Sequence, residues 1–275
     1  MTAGVGISPS PPTSIAGSDC HKSGGRSRRR LLIAAVSAVC FVTGVANVGR
    51  ASELQNALWQ VVSGFCVRGQ QATGNPFPCQ SVDLEKGFAI LGVGGAHFLL
   101  IPTIQIAGIE SPNLLAPGAP NYWEYAWEAR TRLDQAAGGR LSRDQVGLAV
   151  NSAQARTQGQ LHIHIGCVRP EARAALQASV AQVGDTWSRL PIRIAGHRYR
   201  IMRMAGDGLG AANPFKLLAD GIPAARTDMA SQTLVVVGAK FRDGKNGFYL
   251  LADHSRNGFA ASGENLLEYK CGTSR

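Results

Sequence analysis

The chain has 275 residues, of which 45% are hydrophobic and 17% are charged. This composition excludes a mostly disordered chain, a collagen-like repeat and a polytopic membrane protein, and the length suffices for one large domain or two small ones. The formal net charge is +10, but residues 1–50 contain six basic residues and one acidic residue, so half of the excess lies there. The rest of the chain is only mildly basic, and we predict no nucleic-acid partner.

The first fifty residues are typical of a membrane anchor. Residues 2–25 are rich in Ser, Gly, Pro and Thr, and a basic cluster follows at 26–30. Leu31–Gly49 then contains no charged residue. In a helix, its 19 residues would span roughly 28 Å, close to the thickness of a bilayer's hydrocarbon core. A cleaved signal peptide is the alternative, with small residues at Gly44 and Ala46, but the long apolar run favours the anchor.

This segment sets the predicted domain organisation, because a basic flank stays on the cytoplasmic side of a membrane. We predict a disordered cytoplasmic tail over 1–30, one transmembrane signal anchor over 31–49 and an extracytoplasmic domain over 50–275. The predicted localisation is therefore a single-pass protein of the cell (inner) membrane, with its catalytic domain in the periplasm.

Apolar runs separated by turn signals predict the elements of the exported part. Helices are expected over 54–66, 121–137 and 170–183. Strands are expected over 87–92, 97–101, 146–150, 161–168, 192–204, 233–241 and 247–252. Because helices and strands do not alternate regularly, the pattern predicts an α+β fold, with a largely antiparallel sheet and flanking helices.

Four cysteines lie in the exported part, and an even number in an oxidising compartment suggests two disulfides. Cys66 and Cys79 are close in sequence around a Gly/Asn/Pro loop, so we pair them. Cys167 and Cys271 then pair by elimination. Four buried free thiols are the alternative. No Cys-x-x-Cys motif is present, which gives a zinc or thioredoxin-like site little support.

The chemistry concentrates in residues 151–169. In an extended strand every second side chain shares a face, so Gln160, His162 and His164 lie on one face, with Gly166, while the intervening apolar residues face the core. Three residues just upstream can hold anionic oxygens, namely Arg156, Thr157 and Gln158.

A neutral imidazole is a good nucleophile toward phosphorus, and histidine with an ordinary pKa of about 6.5 is largely neutral at pH 7. Attack on a phosphoryl group forms a phosphoramidate that water can then hydrolyse, which divides one difficult displacement into two easier ones. A second histidine can donate to a phosphoryl oxygen, and arginine can balance the developing charge. This chemistry needs no metal or other cofactor, and we predict none.

The sequence Gln160-x-His162-x-His164 resembles the histidine-triad motif of nucleotide hydrolases and transferases, with Gln160 in place of the first histidine. More specifically, the run from Asn151 to Ile165 resembles the CDP-diacylglycerol pyrophosphatases, a bacterial, membrane-anchored branch. The resemblance to this family covers roughly residues 54–271. Further segments that carry it are 75–79, 98–103, 108–112, 126–130, 232–238, 247–253 and 263–267.

The resemblance implies a histidine-triad-like fold and a hydrolase of phospholipid metabolism that converts CDP-diacylglycerol and water to CMP and phosphatidate. It implies that His162 is the nucleophile, with a cytidylyl-histidine intermediate, and that His164 holds the phosphate oxygens. It also implies that Thr157 contacts the phosphate or the leaving group and that Asn151 supports the pocket. Because Gln160 replaces the first histidine of the motif, the resemblance does not say which group orients the His162 ring.

A basic stretch between positions 186 and 206 has no acidic residue, and its strand spacing puts Arg198 and Arg200 on one face. These arginines could hold the diphosphate or rest on anionic lipid headgroups. A solvated strand face is the alternative. The expected partners are therefore CDP-diacylglycerol and the membrane, and the sequence does not indicate the oligomeric state.

Two other functions fit the same residues. A nucleotidylyltransferase would use the same histidine but pass CMP to an alcohol. An anchored lipid- or metal-binding protein would use the His162/His164 pair as ligands, with a third ligand from His97, His197, Asp253 or His254.

Overall fold

Ten β-strands form one sheet in the computed structural model, which describes residues 55–179, 181, 183–210 and 212–271. The predicted tail and the predicted transmembrane anchor lie outside the described residues. Within those ranges, none of the helices combines the length and hydrophobicity that a membrane span requires.

The strands pair antiparallel throughout, in the order β1-β2-β3-β5-β4-β8-β9-β7-β6, with β10 beside β5. Their bounds are β1 Ser81–Asp83, β2 Phe88–Gly92, β3 Phe98–Pro102, β4 Val146–Val150, β5 Ile163–Val168, β6 Ser188–Arg189, β7 Arg200–Ala205, β8 Gln232–Lys240, β9 Asn246–His254 and β10 Leu267–Glu268. The α+β architecture with a large antiparallel sheet is thus confirmed.

Helices cover both faces of the sheet. Residues 55–61 are helical and continue into a π-helical segment, Val62–Val67. The α-helices are α1 Arg68–Thr73, α2 Tyr122–Glu128, α3 Arg130–Ala136, α4 Pro170–Ser179, α5 Pro214–Gly221 and α6 Pro223–Thr227.

The core is divided between the two faces of the sheet. On one face, α2, α3, α5 and α6 pack around the buried tryptophans Trp123 and Trp127. The other face carries two smaller apolar clusters, one beneath α4 and one beneath the helical segment 55–67. His164 of β5 lies between them, because its neighbours across the sheet are Leu99 of one cluster and Ala149 of the other. A polar row therefore interrupts an otherwise apolar face.

Two sequence predictions need correction. The strand predicted over 192–204 is extended only from Arg200, because Ala195 and Gly196 adopt positive φ and form a tight turn in which Ile194 and His197 bond to each other. Helices α5 and α6 were not predicted, although Asn213 caps α5 by accepting a hydrogen bond from the Phe215 amide, with Pro214 in the first turn.

Both predicted disulfides are confirmed. Cys66 is bonded to Cys79 across a sequence separation of 13, and Cys167 is bonded to Cys271 across a separation of 104. The second bond fixes the segment that follows β10 against β5, the strand that carries His164.

Removing the long-range disulfide should cost more stability than removing the short one. In the chain-entropy model the loss grows with the logarithm of the loop length, so Cys167→Ser/Cys271→Ser should lower the free energy of unfolding by about 2 kcal/mol more than Cys66→Ser/Cys79→Ser. Urea denaturation of both double variants measures the difference. All four of these cysteines are buried, so the two double variants are comparable. An equal or smaller loss of unfolding free energy on removal of the Cys167–Cys271 bond would contradict the expectation.

Candidate active site

His162 lies immediately before β5, and one hydrogen bond fixes its ring. Its Nδ1 is 2.8 Å from the backbone oxygen of Gln160. Because a carbonyl oxygen only accepts, Nδ1 carries the hydrogen of the neutral ring, and the lone pair is on Nε2. Nε2 has no hydrogen-bond partner among the described residues. The geometry therefore presents a nucleophilic nitrogen of fixed direction.

Gln160 holds the backbone that makes this contact. Its side chain is fully buried, and its amide donates to the backbone oxygens of Pro102 and Ile104 and accepts from the amide of Ile106. Both N–H hydrogens of the side chain are therefore used within the protein. Gln160 orients His162 through its own carbonyl, while its side chain anchors the chain to the segment after β3.

His164 is held by His97, which stacks on Tyr269. Nδ1 of His164 lies 3.0 Å from Nε2 of His97, and the rings of His97 and Tyr269 stack with centroids 3.6 Å apart. Gly166, two residues after His164, makes room for this stack, because a Cβ there would come within 3.0 Å of the Tyr269 ring. A side chain at 166 would therefore displace the tyrosine.

Glu264 closes the cluster. One carboxylate oxygen accepts from the Tyr269 hydroxyl at 2.6 Å, and the other accepts from the Asn151 amide at 3.1 Å and lies 3.4 Å from Nε2 of His164. The Asn151 oxygen accepts in turn from the hydroxyl of Ser262 and the backbone amide of Glu264. Asn151 thus acts on the pocket by fixing the carboxylate.

Burial lowers the pKa of all three imidazoles. For His97, burial lowers the pKa to about 4, although the negative charge of Glu264 acts in the opposite direction and raises it. For His162 burial outweighs the hydrogen bond to Gln160, and for His164 burial and the two neighbouring histidines put the pKa well below its usual value. The rings are therefore neutral at pH 7, which is the nucleophilic form.

The other predicted residues upstream of His162 are placed differently. Arg156 makes a bidentate ion pair with Glu110, with both N–O distances 2.6 Å. Burial opposes ionisation of Glu110, but the bonds from Arg156 hold its pKa below the usual range. The Gln158 oxygen accepts from the Leu58 amide, so it holds the helical segment 55–61. Thr157 is exposed, and its side chain makes no hydrogen bond with any described residue.

Arg198 and Arg200 are not part of this cluster. Strand β7 is four positions from β5 in the sheet, about 19 Å at the usual strand spacing, and β9, β8 and β4 lie between them. The structure therefore does not bring these arginines to His162, and their predicted contact with the diphosphate or with lipid headgroups stays a prediction. Both line a separate cavity.

His97, His164 and Glu264 could also hold a metal ion, since their ligand atoms lie within 4.8 Å of one another. Two imidazoles and a carboxylate are a donor set that suits zinc. The prediction that the reaction needs no metal is not tested by this geometry.

Two cluster residues, Glu264 and Tyr269, were not assigned to the site from the sequence, and His97 was considered only as a third metal ligand beside His162 and His164. They come from separate parts of the chain, and only the pairing of β3 and β10 with β5 brings them to His164. The signals available were the segments 98–103 and 263–267, which carried the family resemblance without indicating a contact.

Comparison with known proteins identifies the family. The family model for CDP-diacylglycerol pyrophosphatase matches residues 53–275. The chain belongs to the CDP-diacylglycerol pyrophosphatase family. A CDP-diacylglycerol pyrophosphatase of Yersinia pestis is 36% identical over 247 residues, which cover 88% of this chain and 94% of the relative. Family membership confirms the predicted resemblance and makes the chain a hydrolase of a diphosphate bond.

The low pKa of the histidines predicts an unusual pH profile. Since the neutral ring is the reactive form and a lowered pKa preserves it in acid, kcat/KM for CDP-diacylglycerol should begin to fall only below about pH 6.5. Glu264→Gln should move this acid limb to still lower pH, because the charge of Glu264 raises the pKa of His162. Rates measured at constant ionic strength across the acid range give the midpoint of the acid limb for the unaltered protein and for Glu264→Gln.

Glu268→Gln is the matched control, since it removes the same charge from β10 without contacting the histidines, and its acid limb should stay in place. An acid limb at or above pH 6.5 in the unaltered protein, or equal shifts in both variants, would contradict the assignment. A purely structural role of Glu264 would lower the rate without moving the limb.

Proposed function

We propose that the chain hydrolyses CDP-diacylglycerol to CMP and phosphatidate through a covalent cytidylyl intermediate on His162. The observation that carries the proposal is the hydrogen bond from Nδ1 of His162 to the Gln160 carbonyl, which leaves Nε2 unpartnered and nucleophilic. The histidine-triad-like motif, set at the start of a strand in an antiparallel sheet, supports a histidine-triad-like fold.

In the first step Nε2 of His162 attacks the phosphorus that bears cytidine. An N–P bond forms, the P–O bond to phosphatidate breaks, and phosphatidate leaves with the electron pair. The ring becomes positive while Nδ1 keeps its hydrogen, and the Gln160 carbonyl then accepts a stronger, charge-assisted bond. This bond therefore stabilises the intermediate more than the free enzyme.

In the second step water attacks the same phosphorus. A new O–P bond forms, the N–P bond breaks and the neutral ring is restored. The oxygen of the water ends on CMP, and its surplus proton passes to phosphatidate or to solvent. Phosphate monoesters have a second pKa near 6, so phosphatidate is a weakly basic leaving group and departs without a strong general acid. Three neutral histidines are therefore compatible with the reaction.

His164 and Thr157 have supporting roles in this scheme. Nε2 of His164 faces Glu264 at 3.4 Å, and since a carboxylate only accepts, this nitrogen carries the hydrogen and Nδ1 accepts from His97. The rings of His164 and His162 lie with centroids 4.9 Å apart. Because Nε2 of His164 is buried, its N–H donates to a phosphoryl oxygen only when the bound substrate displaces the Glu264 carboxylate from it. The exposed Thr157 hydroxyl is free to contact the phosphate.

Trapping the intermediate tests the mechanism. His162→Ala should reduce CMP release by roughly 10³-fold or more, because no other group supplies the nucleophile. Brief reaction with substrate labelled in the cytidylyl phosphate, followed by alkaline quench and peptide mass analysis, should find the label on His162. Gln154→Ala, at an exposed position of the same segment, should behave like the unaltered protein.

Two further arms of this assay separate the alternatives. Activity that survives prolonged EDTA treatment supports catalysis by histidine alone, whereas loss restored by zinc would favour a metal at His97, His164 and Glu264. A product that appears only with an added alcohol would favour a transferase. Unlabelled protein and full activity of His162→Ala would overturn the covalent mechanism.

We also propose that residues 31–49 anchor the chain in the cell membrane, with the catalytic domain on the extracytoplasmic side. The uncharged run and its basic flank support this orientation, as do two disulfides, which persist in oxidising compartments. The substrate is a lipid, so an anchor would keep the domain beside it.

Fractionation of expressing cells tests the anchor. The full chain should stay with the membrane after alkaline carbonate extraction, and N-terminal sequencing should begin before residue 26. External protease added to spheroplasts should digest the domain. Recovery of a soluble protein that begins near residue 50 would show a cleaved signal instead, and resistance to protease would contradict the orientation.

A further inference from the structure

A cavity of about 740 Å³ opens where strand β7 begins and strand β9 ends, with β9 three strand positions along the sheet from β5. We call it the arginine cavity, because five arginines line it against two aspartates, Asp228 and Asp253. The arginines are Arg189, Arg193, Arg198, Arg200 and Arg256. Its volume is within the range of sites for small organic ligands.

Most of this positive charge is unpaired. Of the five arginines, only Arg256 makes an ion pair with a described residue, donating to Asp253 at 3.2 Å. The side chains of Arg198 and Arg200 make no hydrogen bond or ion pair within the described ranges. Unpaired guanidinium groups gathered around one concavity suit the oxygens of a phosphate group.

Buried polar groups in the cavity wall also lack partners. Tyr199 is 1% exposed and Asp253 is 4% exposed, yet the Tyr199 hydroxyl and Oδ2 of Asp253 have no hydrogen-bond partner among the described residues. His197 approaches Oδ2 only to 3.4 Å. An unmade hydrogen bond in a buried group costs stability, so this pair is better suited to contacting a ligand than to packing.

The arginine cavity is separate from the histidine cluster. Three strand spacings, about 14 Å, divide β9 from β5. The segment 261–264 also packs on the intervening face, where a Cβ on Gly263 would contact Thr233, Val235 and Ala149. Asp253 pairs across the sheet with Thr233, so it lies on the far side of this segment from Asn151 and His162.

We propose that the arginine cavity is a second ligand site, which binds a phosphate ester that carries a hydroxyl or amino group close to its phosphate. The arginines bind the phosphate oxygens, Oδ2 of Asp253 accepts from the ligand's hydroxyl or amine, and the Tyr199 hydroxyl completes the contact. The glycerol headgroup of an anionic phospholipid and a free nucleoside monophosphate share this chemistry.

Calorimetric titration of the full chain in detergent, at constant ionic strength, tests the site with three probes: glycerol 3-phosphate, CMP and inorganic phosphate. At least one ester should bind about tenfold more tightly than inorganic phosphate, since only these esters carry an alcohol hydroxyl that can donate to Asp253 while the arginines hold the phosphate. Arg198→Ala/Arg200→Ala should weaken this binding at least tenfold, and Tyr199→Phe several-fold. Preference for glycerol 3-phosphate indicates a lipid headgroup, and preference for CMP indicates a nucleotide.

Two controls make the test specific. Arg203→Ala/Arg242→Ala removes the same charge outside the cavity and should leave the affinity unchanged. His162→Ala should also leave it unchanged, which separates this site from the catalytic one, so failure of either proposal leaves the other standing. Equal affinity for all three probes, no measurable binding, or loss with His162→Ala but not with the arginine pair would overturn the inference.

Discussion

The bond between Nδ1 of His162 and the carbonyl of Gln160 is the constraint on which the site depends. It decides which ring nitrogen keeps a hydrogen and therefore which one can attack. The carbonyl is held in place because the Gln160 side chain is bound to the segment 102–106, which continues β3. The direction of one lone pair thus depends on the packing of two neighbouring strands.

The other residues of the cluster hold the imidazole of His164 in apolar surroundings. His164 is buried between two apolar clusters, where a charged ring would be costly. His97 contacts its Nδ1, and Tyr269 holds the Glu264 carboxylate beside its Nε2. Burial therefore favours neutral rings and restricts their orientation at the same time, and both effects suit nucleophilic attack on phosphorus.

The sequence allowed the main elements to be predicted because their patterns are local. Alternation around His162 and His164 indicated one polar face, and the apolar runs now in β8 and β9 indicated buried strands. Contacts that depend on register were not available, since nothing local relates Glu264 or Tyr269 to a strand a hundred residues earlier. The strand predicted over 192–204 was wrong for a different reason, because the Ala195–Gly196 turn divides the basic stretch, and its arginines line another cavity.

The bond between Cys167 and Cys271 joins the catalytic strand to the segment that supplies Glu264 and Tyr269. A newly made chain with reduced thiols lacks this tether, so the residues that orient His164 are held there only by non-covalent contacts. Maturation of the site is therefore linked to thiol oxidation. A reduced chain would therefore hold Glu264 and Tyr269 less firmly beside His164 than the oxidised one.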